Sequence, residues 1–260
     1  MEFRPCIDIH NGKVKQIVGG SLQDKNNQAK ENFVAEKDAA FYAALYRDAG
    51  IKGGHIILLN GADSEYYEVT KKQALSALSA YPQGLQAGGG ITPENAAEFL
   101  EAGASHVIVT SYVFKDGCIH YERLEELVKA VGKEYLVLDV SCKKTEKGYM
   151  VVTDRWQKLT NEAVEPALLD RLSIYCDEFL IHAVDVEGKS QGIERELAGQ
   201  LGEWQGIPIT YAGGVHSYED LQLLKKLGNN RLNVTIGSAL DLFGGSLSWE
   251  RVVKLCGNSD

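Results

Sequence analysis

Two aspartates stand in stretches that are otherwise apolar: Asp8 in Cys6-Ile7-Asp8-Ile9 and Asp139 in Val137-Leu138-Asp139-Val140. A carboxylate in such a run is costly unless its charge has a partner or a use. Alternation along an extended chain puts Cys6 and Asp8 on one face, with Ile7 and Ile9 on the other. Val137 and Asp139 likewise share a face, and Leu138 and Val140 turn away from it. A matched pair of this kind suits general acid–base work. One carboxylate stays ionised and takes a proton, while the other is kept neutral by its surroundings and gives one. Such chemistry asks for no metal and no cofactor. The plainer possibility is a pair of strand-end carboxylates that cap loops or pair with Lys or Arg.

A second set of residues has the chemistry of an anion grip. Gly213-Gly214 is followed by Gly237-Ser238, and earlier in the chain Gly89-Gly90 is followed by Thr110-Ser111. Glycine lets a backbone approach a phosphate closely, free N–H groups donate to it, and Ser238 adds a hydroxyl. Two such cradles predict a ligand with a phosphate at each end. Glycine pairs also mark tight turns, and Thr110 stands where the later set has glycine, so the first cradle is the looser. His182 is expected to point inward beside Asp139, either orienting a reacting group or making a structural hydrogen bond. Trp156 could stack on a flat heterocycle or pack under its own loop. His10 could lie near Asp8 or in a loop. The remaining histidines show no metal-ligand spacing. Gly188-Lys189-Ser190 resembles the end of a P-loop, but Ala183 stands where its first glycine belongs, and no G-x-G-x-x-G follows the first strand. Asn233-Val234-Thr235 fits a glycosylation pattern inside a predicted strand.

The elements that must position these groups alternate. Short β-branched runs predict strands near 3–9, 54–59, 84–87, 106–110, 135–140, 179–183, 207–212 and 232–237. Amphipathic patterns predict helices near 39–49, 69–80, 93–102, 121–131, 164–176, 194–204, 217–227 and 248–256. Thr92-Pro93-Glu94 and Ser217-Tyr218-Glu219-Asp220 read as helix starts. Strands alternating with helices imply a parallel sheet. Eight units in 260 residues predict a single-domain (β/α)8 barrel over 1–260, against an open doubly wound sheet. In a barrel both aspartates fall at the C-terminal ends of opposed strands, the face where such folds keep their chemistry. The halves repeat: Gly89 answers Gly213 at an offset of 124, Thr110 answers Gly237 at 127, and Asp8 answers Asp139 at 131. Residues 19–38 and 143–160, each following one aspartate, read as polar lids without structure of their own.

A formal charge of −9 argues against a nucleic-acid partner, which needs clustered Lys and Arg. Hydrophobic and charged fractions of 44% and 24% are those of a globular chain rather than a disordered or fibrous one. The five cysteines, Cys6, Cys118, Cys142, Cys176 and Cys256, are widely spaced and form no C-x-x-C, as expected of free thiols in a reducing cytoplasm. The N-terminus has no signal-peptide pattern, and no apolar run approaches the ~18 residues of a membrane span. These features predict a cytoplasmic monomer with a small-molecule partner and no membrane association.

The run from Cys6 through Asp8, Gly12 and Gln16 to Gly20 resembles the N-terminus of the phosphoribosylformimino-5-aminoimidazole carboxamide ribotide isomerases of histidine biosynthesis, in their eukaryotic-type form. Phe179 to Ala183 with Asp185 to Gly188, Tyr211 to Gly214, and Ile236 to Ser238 resemble the same family, so the likeness spans the chain. It implies an Amadori rearrangement of an aminoaldose to an aminoketose, without cofactor or metal. By that resemblance Asp139 is the acid that opens the ribose ring, and Asp8 is the base that takes the proton from the neighbouring carbon. Trp156 is a stacking residue, and Gly20, Glu187 and His182 join the substrate contacts. The substrate it implies carries two phosphates. His182 departs from the bacterial pattern, which has threonine there, and Thr92 stands where an arginine is common. The sister cyclase of the pathway requires a lysine eight residues after the first aspartate, where this chain has Gln16. An isomerase that also serves tryptophan synthesis would carry the same paired aspartates and cradles. A non-catalytic phosphate-binding barrel would need the cradles alone.

Overall fold

The computed structural model describes residues 1–17, 31–187 and 192–257. Its central sheet contains eight parallel strands: Cys6–His10, Gly54–Leu58, Leu85–Gly88, Val107–Val109, Leu136–Thr145, Glu178–Ala183, Ile209–Ala212 and Leu232–Thr235. Each hydrogen-bonds to the next in chain order, counting only these eight. The eighth returns to the first. Phe3 bridges Val234, the Arg4 N–H donates to the Val234 carbonyl at 2.8 Å, and the Val234 N–H donates to the Glu2 carbonyl at 2.9 Å. That closure makes a (β/α)8 barrel and excludes the open sheet.

Alternation sorts the side chains as the strand pattern predicts. Ile7, Ile9, Leu138 and Val140 are fully buried in the large layer between strands and helices. Ile108, Val137, Leu180 and Ala212 form a separate small cluster inside the ring, with Ile57 against it. At the N-terminal end of the barrel Arg4 pairs with Glu178, which also accepts from Gln86 at 2.9 Å and from Thr210 at 2.5 Å. A buried ion pair with its remaining lone pairs satisfied is a closed floor. The acidic groups above it, Asp8 and Asp139, face the open end of the barrel.

The helices lie close to their predicted positions, with one difference at a start. Helix Ala96–Glu101 begins after a turn, and the Thr92 hydroxyl is not its cap. The Asn95 side chain instead accepts from the Thr92 N–H at 2.9 Å, so Thr92-Pro93-Glu94 forms a turn ahead of the helix. Helix Tyr218–Leu227 starts as expected. Ser217 accepts from the Asp220 N–H, and Asp220 accepts in return from the Ser217 N–H, a reciprocal capping box.

The two expected lids are the larger correction. Residues 143–160 are mostly strand: Leu136–Thr145 runs on past the barrel rim, Gly148–Thr153 folds back antiparallel on it, and Lys158–Ala163 pairs with that strand. The run Tyr149-Met150-Val151-Val152 is β-prone, and those four side chains are buried. After the first barrel strand, Asn11 and Gly12 take φ of 51° and 71°, turning the chain into Lys13–Ile17. Asn-Gly is the preferred pair for such a turn. Glu31–Val34 then pairs with Lys13–Ile17. Residues 18–30, including Gly20, lie outside the described residues, as do Gly188-Lys189-Ser190.

Candidate active site

One cavity of about 690 Å³ opens at the C-terminal end of the barrel. Its lining contains Asp8, Asp139, His182, Trp156 and Glu187 together with both cradles, Gly89, Gly90, Thr110 and Ser111 on one side and Gly213, Gly214, Gly237 and Ser238 on the other. The aspartates, the cradles and their supporting residues therefore share one space, of a size that takes a small organic ligand. His10 does not line it. Its ring is buried at the end of the first strand, and its Nδ1 has no hydrogen-bond partner among the described residues.

The two aspartates sit in unlike surroundings. Asp8 stands among Cys6, Gln16 and the inner wall. Gln16 turns its amide so that Nε2 donates to Asp8 Oδ2 at 3.3 Å and lies 3.6 Å from Cys6 Sγ. Its Oε1 occupies the space where a Cβ on Gly237 would stand, only 2.2 Å from that position. Burial, then the neighbouring Glu187 charge, raises the Asp8 carboxyl from 3.8 to about 7, with His182 and the Gln16 hydrogen bond opposing. Near neutrality this is a carboxylate with the strength of a base.

Asp139 is held from two sides. His182 Nδ1 lies 2.8 Å from Oδ1, and the Thr110 hydroxyl donates to Oδ2 at 3.2 Å. The strand register explains the first contact. Leu180 is level with Asp139 and His182 with Ser141, so His182 stands two residues further along the neighbouring strand, on the same face as Leu180. Burial works against a charge on His182, but Asp139, first by its charge and then by its hydrogen bond, and Glu187 and Asp8 after it, carry the imidazole up to about 9. Burial also raises Glu187 above the usual carboxylate range. His55, on the second strand, is driven down to about 3 by burial and is neutral.

The cradles repeat in backbone as well as in sequence. Gly89 and Gly90 take φ of 104° and 71°, Gly213 and Gly214 take 121° and 78°, all in the region that favours glycine. A Cβ on Gly89 would meet the Leu58 carbonyl at 2.1 Å, and one on Gly214 the Gly192 carbonyl at the same distance. Trp156 is presented by three consecutive left-handed residues, Asp154, Arg155 and Trp156, with φ of 53°, 54° and 68°. Left-handed geometry costs roughly 1–2 kcal/mol per residue. It is held by Gln157 N–H donating to the Thr153 carbonyl at 3.1 Å and by Trp156 Nε1 donating to the Ser141 hydroxyl at 3.0 Å. Lys143 and Arg155 also line the cavity.

Gln16 is the group that reading the sequence passed over, since it entered only as the absence of a lysine. Its position on a strand returning beside Asp8 was signalled by Asn11-Gly12. The contact between Thr110 and Asp139 had no sequence signal, because it crosses between neighbouring strands.

Closed barrel, opposed carboxylates and mirrored glycine turns together define a small-molecule enzyme scaffold of the (β/α)8 class. The histidine biosynthesis protein family matches residues 2–247, and the chain belongs to that family. It is similar to a chloroplastic protein of Medicago truncatula, 52% identical over 257 residues, which cover 97% of this chain and 81% of that protein. It is also similar to proteins of Neurospora crassa, 45% identical over 94% of this chain and 93% of the relative, and Saccharomyces cerevisiae, 43% identical over 95% and 94%. All three are named 1-(5-phosphoribosyl)-5-((5-phosphoribosylamino)methylideneamino)imidazole-4-carboxamide isomerase. That is the family the sequence resembles.

Proposed function

We propose that this chain, as one domain over 1–260, is the isomerase that converts the bis-phosphorylated ribosylaminoimidazole carboxamide aminoaldose to its aminoketose in histidine biosynthesis. The observation that carries the reading is the joint lining of one cavity by Asp8, Asp139 and both glycine cradles. The relatives' shared name supplies the substrate. A cradle on each side of the mouth suits a molecule with a phosphate at each end, the Gly213–Ser238 side taking one and the Gly89–Ser111 side the other. Trp156 offers its ring to the imidazole between them, and Glu187 borders the sugar.

The chemistry follows from the two poles. The Asp139 pole places a proton on the ribose ring oxygen as the C1–O bond breaks, and the nitrogen lone pair forms a Schiff base. Asp8 takes the proton from C2, giving an enolamine. Return of a proton to C1 and loss of the enol proton leave the ketose, with no net gain or loss. All steps use this chain's own acids and bases, without a cofactor.

Four buried thiols and an exposed Cys118, all free, support a reducing compartment. We place the protein in the cytoplasm; the chloroplastic relative makes a plastid the second possibility. Among the described residues no helix is long and apolar enough to cross a membrane. A monomer is the expected state, because the cavity lies within one barrel; light scattering of the purified protein checks this.

Growth without histidine of cells lacking this isomerase tests the function. The parent chain restores growth, and Asp8→Asn or Asp139→Asn does not. Rescue by either variant equal to that of the parent refutes the roles given to the two aspartates.

A further inference from the structure

We propose that His182, rather than Asp139, delivers the proton that opens the sugar ring, with Asp139 as the positioning residue that holds the imidazolium. The inference rests on the isomerase reading and divides the work within its acid pole.

Both Asp139 oxygens are already in hydrogen-bond contact with neighbouring side chains. Thr110 donates to Oδ2 at 3.2 Å, and His182 Nδ1 stands 2.8 Å from Oδ1. With one contact on each oxygen, Asp139 is placed to orient the imidazole. The side chain that touches it is the one able to carry a proton. With Nδ1–H fixed on Asp139, the other ring nitrogen, Nε2, lies on the imidazole edge turned from that carboxylate, and His182 lines the cavity. This is the arrangement in which a buried carboxylate orients an imidazole and stabilises its charged form while remaining ionised itself.

The surroundings agree from every element that contributes a charge. Asp139 on the fifth strand, Glu187 beyond the sixth and Asp8 on the first all favour the imidazolium, while burial opposes it, and the balance leaves the ring titrating at about 9. His55, from the second strand, is neutral and brings no competing charge. Imidazolium at neutral pH is the form required of an acid.

The proton count closes. As the C1–O bond breaks, its electron pair goes to the ring oxygen, which takes the Nε2 proton, and the nitrogen lone pair forms C=N. Asp8 then takes the C2 proton, and those electrons form the C1–C2 double bond of the enolamine. Neutral His182 recovers a proton from the enol hydroxyl, and Asp8 returns its own to C1. Both groups end as they began.

His182→Asn keeps an amide donor for Asp139 but has nothing at the place of Nε2. The proposal expects kcat on the aminoaldose to fall about 10²–10⁴-fold, with KM within a few-fold of the parent. The alkaline fall of kcat near pH 9 in the parent should be lost. Added imidazole should restore part of the rate of His182→Ala. A His182→Asn variant within about fivefold of the parent rate, with the same alkaline limb, overturns the proposal and returns the acid role to Asp139. Nitrogen-15 NMR of the histidine rings in the parent gives an answer that needs no variant. His182 should carry two N–H protons at pH 7, and a neutral ring there overturns the proposal. If the parent itself fails to turn over the aminoaldose while its NMR shows the imidazolium, the isomerase reading fails and the dyad geometry stands.

Discussion

The two aspartates occupy equivalent places in a repeated half-barrel, yet their neighbours differ in kind. Asp8 is desolvated and lies near another carboxylate, Glu187, so its proton is held more tightly, with the neutral amide of Gln16 opposing. Asp139 faces an imidazole 2.8 Å from one oxygen and a hydroxyl that donates to the other. The repeat sets the two groups across one cavity, and in the proposed mechanism the differences between the halves suit them to opposite tasks. Two like groups become base and acid pole when their environments diverge. The cradles show the same mixture of likeness and divergence. Gly89 and Gly214 are jammed against backbone, whereas a Cβ on Gly90 would meet nothing within 4 Å.

The largest expected effect is on the acid pole. Asp139→Asn should lower kcat by about 10²–10⁴-fold, because it removes the charge that holds His182, while substrate affinity measured by calorimetry stays within a few-fold. Equal loss of affinity and rate would mean that the pole binds substrate and does no proton work.

Asp8 should show its contrast with Asp139 in stability. Its folded value of about 7 lies above the ordinary 3.8, so the folded state holds the proton more tightly. Stability then falls as pH rises from about 4 to about 7, by on the order of 2–4 kcal/mol. Asp8→Asn removes this penalty. The variant should melt higher than the parent above about pH 7 and no differently below about pH 4. A lower melting temperature at pH 8 would mean that Asp8 is stabilised as a carboxylate.

Third comes the pair of cradles. Gly214→Ala drives a Cβ to 2.1 Å from the Gly192 carbonyl and should cost about 2 kcal/mol or more in thermal or denaturant unfolding. Gly90→Ala carries only the strain of its φ, about 1 kcal/mol, and should act mainly by raising KM, since its new methyl enters the cavity. The reverse ranking in stability would contradict the cradle geometry.

The smallest effect tests the neutral neighbour. Gln16→Lys places an ammonium beside Asp8 and should pull its titration down by at least about one unit. The acid limb of kcat/KM, expected near pH 7 in the parent, should move to lower pH, with roughly a tenfold loss of rate at neutrality as the base weakens. Gly237→Ala displaces the same amide and should shift the limb too. An unmoved limb in both variants would detach it from Asp8.

Much of this was legible in the chain. Strand alternation at Cys6 to Ile9 and Val137 to Val140 fixed which way the aspartates point, because one face had to meet the helices. Gly89-Gly90 and Gly213-Gly214 marked the paired left-handed turns, a backbone that admits little else. What stayed hidden depends on contacts between distant segments. No local pattern shows that Thr110 reaches Asp139 or that Gln16 fills the space left by Gly237. The strand Gly148–Thr153 could have been found from its β-branched run; the polar residues around it, Lys143 to Lys147 and Asp154 to Lys158, masked it as a loop. Thr92 failed as a cap because Asn95 reaches back and binds its N–H first.

Single-turnover conversion of the bis-phosphorylated aminoaldose by Asp8→Asn, with binding measured on the same preparation, tests the role of the opposed carboxylates most directly. The paired-carboxylate mechanism predicts near-parental binding with conversion slowed about 10³-fold or more. Conversion by Asp8→Asn within about tenfold of the parent rate would contradict it.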